Sequence, residues 1–114
     1  MALSSFQVNA LPASGSVYSA DTSSTKAEVT DNPKVHIYSI SFYCSVLGYL
    51  QIFDADAADV TVGATEPTWV IAAAAGETVI HILAKPVQHT TGFTIASTTT
   101  RTGSTNAAGH VQIL

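Results

Sequence analysis

Short segments of the chain alternate apolar with polar residues, and residues that favour turns separate these segments at fairly regular intervals. Alternation with a period of two is typical of β-strands, and β-branched and aromatic residues are common in these segments. Helical periodicity is hard to find. The pattern predicts strands at residues 5–11, 17–20, 26–30, 34–46, 49–53, 69–72, 77–84, 93–96 and 110–113.

The strongest segment is 34–46, which we expect to form a long central strand with one buried face. Serines occupy its polar face, and Gly48 ends the run. Residues 49–53 are predicted to be its hairpin partner, with Leu50 and Ile52 facing inward. The residues on the apolar face of the long strand are Tyr38, Ile40, Phe42, Cys44 and Val46.

Segment 77–84 is apolar on both of its faces. Because each face needs an apolar partner, we expect the core to bury one and a neighbouring element to bury the other. The two sets are Val79, His81 and Leu83 on one face and Ile80 and Ile82 on the other.

The number of strands indicates the fold class. About eight to ten short antiparallel strands in 114 residues are enough for a single β-sandwich domain, residues 1–114. Residues 1–24 are expected to form an N-terminal arm or edge strands. Residues 54–67 mix acids, alanine, glycine and threonine, so they are predicted to be a long connection with a short extended piece at 60–62.

Charge is scarce in this chain. Lys and Arg number 4 and Asp and Glu number 8, about 11% of the residues, whereas a typical domain has about 25%. Ser and Thr number 27 and Ala 17, so the surface is largely neutral and costs little to desolvate in a contact. With a net charge of −4 there is no basic stripe, which argues against binding to nucleic acid or to anionic membranes.

The cysteine content and the lack of recognisable targeting signals further restrict the class of protein. Cys44 is the only cysteine, so the chain has no intramolecular disulfide and no thiolate metal cluster. The first residues lack the basic and apolar regions of a signal peptide. The longest nearly apolar run, residues 69–75, is far shorter than the roughly 20 residues of a membrane helix. We expect a soluble protein that accumulates in the cytoplasm.

Four segments resemble small virion proteins of tailed bacteriophages. That family has a strand like YLKFYN, then TVGTDTP, then a strand like GIAFSTG and a threonine-rich ATDTT loop. The resemblance covers roughly residues 35–114. The matching segments here are YLQIFDA at 49–55, VTVGATEP at 60–67, GFTIA at 92–96 and TTTRTGST at 98–105.

The resemblance implies a β-sandwich of jelly-roll type on a capsid or tail surface, and it implies no catalytic residues. The implied function is a capsid decoration or cement protein that stabilises a phage head, in contact with the major capsid protein and its own copies. A homotrimer is expected, because such proteins often occupy local threefold positions. One departure is AAAAG at 72–76, where family members often carry a longer glycine-rich loop.

The acidic cluster Asp54, Asp56, Asp59 and Glu66 is the one candidate for a metal site. Carboxylates this close could bind Ca²⁺, but the spacing lacks the glycine and terminal glutamate of an EF-hand. We therefore expect a solvated acidic loop, with no metal and no cofactor.

Catalytic signatures are not found in the sequence. The histidines His36, His81, His89 and His110 show no metal-ligand spacing such as HExxH, and no Gly-x-Ser-x-Gly occurs. His81 is predicted to be a core or interface residue. The chain is expected not to be an enzyme.

Segment 98–105 has six hydroxyl residues around Arg101. One interpretation is an exposed hairpin loop whose hydroxyls bond to the nearby backbone. The other is a contact loop, because a guanidinium among neutral groups can pair with a carboxylate or an anionic glycan of a partner. The candidate contact residues are Thr99, Thr100, Arg101 and Thr102.

A second functional class stays open, namely a carbohydrate- or receptor-binding module of a phage tail or fibre. Aromatic side chains exposed together would form its sugar-stacking platform, although aromatics in strands more often belong to the core. The candidates are Trp69, Tyr18, Tyr38, Tyr43 and Tyr49.

Overall fold

The structure, a computed structural model, describes residues 18–30, 36–88 and 91–114. The prediction of an all-β protein is confirmed, whereas the predicted strand at 5–11 lies outside the described residues. Nowhere in these ranges is there a helix of the length and apolar character needed to cross a membrane. The elements are β1 Tyr18–Thr22, β2 Ala27–Thr30, β3 His36–Cys44, β4 Gly48–Phe53, a 3-10 turn at Ala57–Asp59, β5 Trp69–Ala73, β6 Glu77–Gln88, β7 Phe93–Thr98 and β8 Gly109–Ile113.

The strands form two four-stranded antiparallel sheets. Sheet I has the order β1-β8-β3-β6, and sheet II has the order β2-β7-β4-β5. The first four strands pair with the last four as in one long folded hairpin, and the added pairs β3·β8 and β4·β7 roll it into two layers. This is the strand order of a jelly roll, so the expected β-sandwich is confirmed.

The core lies between the sheets and draws on the inward residues of nearly every strand. β3 is central in sheet I, as predicted, and Ile40, Phe42 and Cys44 are fully buried. The pairing of β3 with β6 shifts register between Ile37 and Ser39. Between the pairs Ile37–Val87 and Ser39–Ile82, β3 has one residue and β6 has four, and this irregularity interrupts the alternation of side chains along β3.

Two residues that were predicted to lie on the buried face of β3, Tyr38 and Val46, are not part of the core. Ile37 is buried in the core, whereas Tyr38 is only half-buried. Val46 lies in the turn after the strand and is 45% exposed. The alternation is interrupted at both ends of the segment, first by the register shift and then by the turn.

The predicted hairpin between 34–46 and 49–53 is wrong. β4 pairs with β5 and β7 in sheet II, whereas β3 pairs with β6 and β8 in sheet I. The turn at residues 45–47 carries the chain from one sheet to the other. Leu50 and Ile52 do face inward and are fully buried, because both strands direct apolar faces at one core from opposite sides.

The predicted burial of β6 on both faces is wrong for the single chain. Val79 and Leu83 pack against the core, but Ile80 is 66% exposed and Ile82 is 77% exposed. His81 is exposed rather than a core residue, with its ring 6.1 Å from that of Trp69. No element of the described chain covers the outer side of this strand.

Residues 54–67 form the predicted connection, and within the expected extended piece at 60–62 the backbone of Val60 is extended, whereas residue 62 already belongs to a turn. The chain makes a 3-10 turn at Ala57–Asp59 and further turns from residue 62 onward. Val60 is fully buried between these turns. An apolar residue here serves to hold the connection against the sheet rather than to extend a strand.

Candidate functional site

The outer face of sheet II is covered by the chain itself. Phe53 of β4 and Ala96 of β7 point away from the main core and pack with Val60 of the connection in a second, smaller cluster. Ala55 and Val62 border this cluster. All six residues of β7 are consequently buried, although the two-layer sandwich by itself covers only one face of sheet II.

Polar contacts hold the connection in place. The Lys26 ammonium donates to the carbonyl of Val60, and the amide of Ala57 donates to the Glu28 carboxylate at 2.8 Å. Both charged residues come from the segment around β2. The connection is therefore tied to the edge of sheet II as well as packed on its face.

Two of the four acidic residues of this connection, Asp54 and Asp56, lie beside Gly92, where a Cβ atom would be 2.7 Å from Asp56 Oδ1. The Asp54 carboxylate accepts from the amides of Thr91 at 2.8 Å and Gly92 at 3.2 Å, where β7 begins. Asp59 and Glu66 are exposed. Within the described ranges, no three His, Cys, Asp or Glu side chains lie close enough together to hold a metal ion.

A second covering element on sheet II is the threonine loop, residues 98–105. It is held by Gln51, whose side chain is fully buried on the outer side of β4. The Gln51 amide nitrogen Nε2 donates to Thr98 Oγ1 at 2.7 Å and to the carbonyl of Gly103 at 3.0 Å. It also lies 3.4 Å from the carbonyl of Thr100. One buried amide thus contacts the loop at three separate residues, the first of which is Thr98 at its start.

Bonds within the loop define its shape further. Thr98 Oγ1 donates to the carbonyl of Thr100 at 2.7 Å, and the amide of Thr99 donates to the carbonyl of Thr105 at 2.9 Å. A Cβ atom at Gly103 would lie 2.1 Å from Thr100 Oγ1, so the chain folds tightly on itself there. The threonine loop is therefore a compact unit rather than an open connection.

The structure corrects the predicted setting of this loop. It is not a hairpin loop, because β7 belongs to sheet II and β8 to sheet I. Thr98 is fully buried and Thr99 is half-buried. Thr100, Arg101 and Thr102 are exposed at its tip, and Arg101 makes no ion pair with any described residue.

The outer face of sheet I contrasts with that of sheet II. We call the outward side chains of β3 and β6 the open face. Among the side chains that the structure describes, its members are Ser39, Ser41, Tyr43, Thr78, Ile80 and Ile82. None of them is charged, and no described part of the chain lies over the two isoleucines.

Beside the open face, Ser19, His110 and Asp21 form a hydrogen-bonded chain that the sequence did not reveal. His110 Nε2 lies 3.1 Å from Ser19 Oγ, and Nδ1 lies 3.1 Å from the Asp21 carboxylate. Asp21 and Ser19 lie two residues apart on one side of β1, and Asp21 is directly opposite His110 on β8. The spacing of Ser19 and Asp21 is visible in the sequence, but only the strand pairing brings in His110.

This arrangement has the connectivity of a Ser-His-Asp triad but not its surroundings. In such a triad the carboxylate is buried, and it holds the imidazole in one tautomer and orientation. Here the Asp21 side chain is 96% exposed and that of His110 is 43% exposed. Water competes for both groups, so we interpret the chain of bonds as a surface pairing across two strands.

The candidate aromatic residues do not form a platform. Trp69 and Tyr18 pack against the core, and Tyr49 and Tyr38 are half-buried. Tyr43, 40% exposed, is the only aromatic residue among the exposed large hydrophobic side chains of the described chain.

Comparison of the chain with family models, with curated proteins and with solved structures finds no match. Within the residues that the structure describes, the two faces of the sandwich differ: an anchored loop with the exposed Arg101 at its tip covers one, and the other leaves Ile80 and Ile82 exposed.

Proposed function

We propose that this chain is a structural protein of a tailed-phage virion, a decoration or cement protein that binds the outer surface of the head and stabilises it. Three features support the proposal. The jelly roll is a common fold of capsid proteins, four segments resemble phage virion proteins, and the surface is poor in charge. The proposed location is the capsid surface, after synthesis in the host cytoplasm.

The observation that carries the proposal is the anchoring of the threonine loop by Gln51. A buried amide that contacts three points of the loop restricts its conformations before any partner arrives. Order that exists in the free protein does not have to be gained on binding, so the entropic cost of binding is small. The exposed Thr100, Arg101 and Thr102 contribute nothing to the core, which is consistent with a role in contact.

Arg101 is the residue at this tip with the most specific chemistry. Its guanidinium is a planar fork of donors that fits a carboxylate, and it has no ion-pair partner within the described chain. The threonine hydroxyls beside it can donate to or accept from a partner backbone. We assign these groups to contact with the major capsid protein.

The proposed partners are the major capsid protein and further copies of the chain, arranged as a homotrimer. Neither nucleic acid nor a membrane is a proposed partner, and no catalytic activity or cofactor is assigned. The alternative of a carbohydrate-binding module is less well supported, because Tyr43 stands without a second exposed aromatic side chain in the described ranges.

The test uses virions produced from the genome that encodes the chain, first to detect the chain in purified particles. Arg101→Ala should weaken attachment by about 1–3 kcal/mol because a charge-assisted hydrogen bond is lost. Its unfolding temperature should stay unchanged, because Arg101 is exposed and has no ion-pair partner among the described residues. Retention on washed particles and thermal unfolding are the two measurements.

Two controls sharpen this test. Arg101→Lys keeps the charge but loses the planar fork, so it should be intermediate in attachment. Glu66→Ala changes an exposed charge on the connection and should attach normally. Normal attachment of Arg101→Ala, or absence of the chain from the particles, would show that the proposal is wrong.

A further inference from the structure

The exposed large hydrophobic side chains of the described residues are concentrated on one side of the molecule. Four of them belong to the outer face of sheet I or continue its ladder, and two lie in the turn that follows β3. Sheet II contributes none. These residues are Tyr43, Ile80, Ile82 and Leu114, and Val46 and Leu47 in the turn.

Ile80 and Ile82 of β6 are larger than the side chains beside them on β3. Ile80 lies opposite Ser41 and Ile82 opposite Ser39, so each faces a small side chain on β3. Small neighbours cannot shield a large side chain, which accounts for exposures of 66% and 77%. Two adjacent isoleucines this exposed are unusual on a face that only water contacts, since apolar patches on soluble proteins commonly mark an interaction site.

The charge distribution indicates what covers this face. The chain carries a net charge of −4, so two copies repel each other over most of their surfaces. None of the open-face side chains that the structure describes is charged, and among the described residues on the rest of the outer side of sheet I only Asp21 carries a formal charge, on the edge strand farthest from β6. Two copies can therefore meet over β3 and β6 with little repulsion. Asp59 and Glu66 are exposed on the connection over sheet II, where close approach of a second copy would bring like charges together.

The area of the face is sufficient for a contact between copies. Nine residues of β3 at about 3.3 Å each span about 30 Å, and four strands at about 4.8 Å span about 19 Å. Because β1 and β8 have only five residues each, the whole outer face of sheet I, of which the open face is a part, measures about 500 Å² in projection. Each partner of a standard protein interface contributes about 800 Å² of accessible surface, which is the same order of size.

We propose that the open face is the contact between copies of this chain, with Ile80 and Ile82 of one copy buried against sheet I of another. This inference needs only the folded chain. It does not depend on attachment to a phage head and can be tested without particles.

The first experiment measures the mass of the purified chain by sedimentation velocity over a range of micromolar concentrations. The wild type should be oligomeric, and Ile80→Thr with Ile82→Thr should dissociate about 100-fold more readily, because each buried isoleucine is worth about a factor of ten or more. Threonine keeps the strand propensity at both positions. The matched control, Ile80→Val with Ile82→Val, keeps the apolar contact and should remain oligomeric.

The second experiment identifies the occupant through a thiol probe. Ser41→Cys places a cysteine on the open face, while the native Cys44 is buried and provides a slow background. Maleimide should label this cysteine slowly in the oligomer and at least tenfold faster once the two threonines are added.

Three results would overturn the proposal. A monomeric wild type whose Ser41→Cys variant labels slowly would mean that another segment of the same chain covers the face. A monomer that labels rapidly and is protected only on virions would assign the face to the shell. An oligomer that persists with both threonines would place the contact between copies elsewhere.

Discussion

Loops of the chain cover the outer face of sheet II, whereas the described residues leave the outer face of sheet I exposed. Over sheet II, the connection and the threonine loop bury Phe53 and Gln51, so β4 and β7 lie beneath a third layer. Over sheet I, Ile80 and Ile82 remain exposed in the described chain. The sheets thus share one core and the same number of strands, but only one of them is completed by its own loops.

The difference shows where the chain uses its hydrophobic residues. A small sandwich has little core, and covering one sheet with loops adds a second apolar cluster to its stability. An exposed apolar face contributes nothing to the folding of a monomer and gains free energy only when a partner covers it. We therefore expect substitutions over sheet II to change folding and substitutions over sheet I to change association.

The largest expected effect is that of Phe53→Ala. Phe53 is 1% exposed and is the largest member of the small cluster over sheet II, so its truncation leaves a cavity. The free energy of unfolding should fall by about 3–5 kcal/mol. Chemical denaturation of the variant measures this loss.

The matched control for that experiment is Ile82→Ala on the open face, which also removes a large apolar side chain. It should change the stability of the monomer by less than about 1 kcal/mol, since this side chain is mostly in water already. Equal losses in the two variants would mean that the outer faces do not differ as described.

Gln51→Met should have the next largest effect. Methionine fills similar space but removes the amide that donates to Thr98 and Gly103. Buried acceptors left without a donor cost about 1–3 kcal/mol, and the loop should open. Hydrogen exchange at the amide of Thr99, which is bonded to Thr105, should accelerate.

Gln112→Met on the outer side of β8 is the corresponding change on sheet I. Gln112 is exposed, so neither stability nor hydrogen exchange in the loop should respond. If Gln51→Met leaves the exchange of Thr99 unchanged, the loop is not held by this amide, and the argument for a preorganised contact fails.

Protein concentration is expected to have a smaller effect, which is a change in the unfolding temperature. If copies meet at the open face, the unfolding temperature of the wild type should rise with concentration, because association stabilises the folded state by mass action. The variant with Ile80→Thr and Ile82→Thr should unfold at one temperature throughout. A wild type with no concentration dependence would contradict the difference in association between the two faces.

The smallest expected effect is that of Ser19→Ala beside the open face. Its bond to His110 is exposed to water, so unfolding should not change measurably. We also expect a fluorophosphonate probe to leave Ser19 unlabelled, because the exposed Asp21 does not orient His110. Labelling of Ser19 that is lost in His110→Ala would show instead that this chain of bonds activates the serine.

Much of the fold could be predicted from local pattern. Alternation located the strands from β1 to β8 to within a few residues and identified Ile40, Phe42, Leu50 and Ile52 as inward facing. It could not predict partners, because a strand's apolar face looks the same whichever strand lies beside it. Hence 49–53 was expected to pair with 34–46 although the jelly roll places them in different sheets.

The sequence identified the residues of the threonine loop but not the buried side chain that holds the loop in place. The cluster of hydroxyls around Arg101 marked the loop, and the structure places its tip in solvent. Gln51 gave no such signal, because a polar residue between Leu50 and Ile52 is what a solvent-facing position looks like. Only the return of the chain over sheet II makes it a buried anchor.

By itself the sequence determined an all-β chain with strands in these places, one set of inward residues and few charges, since those properties follow from alternation and composition. Tertiary structure alone decided which strands pair, which outer face is covered, and that Ser19, Asp21 and His110 meet across two strands. The physical reason is that alternation shows which side of a strand faces the core but does not show which strand lies beside it. The outer side of a strand contacts water, a loop or another copy of the chain, depending on whether segments distant in the sequence pack over it.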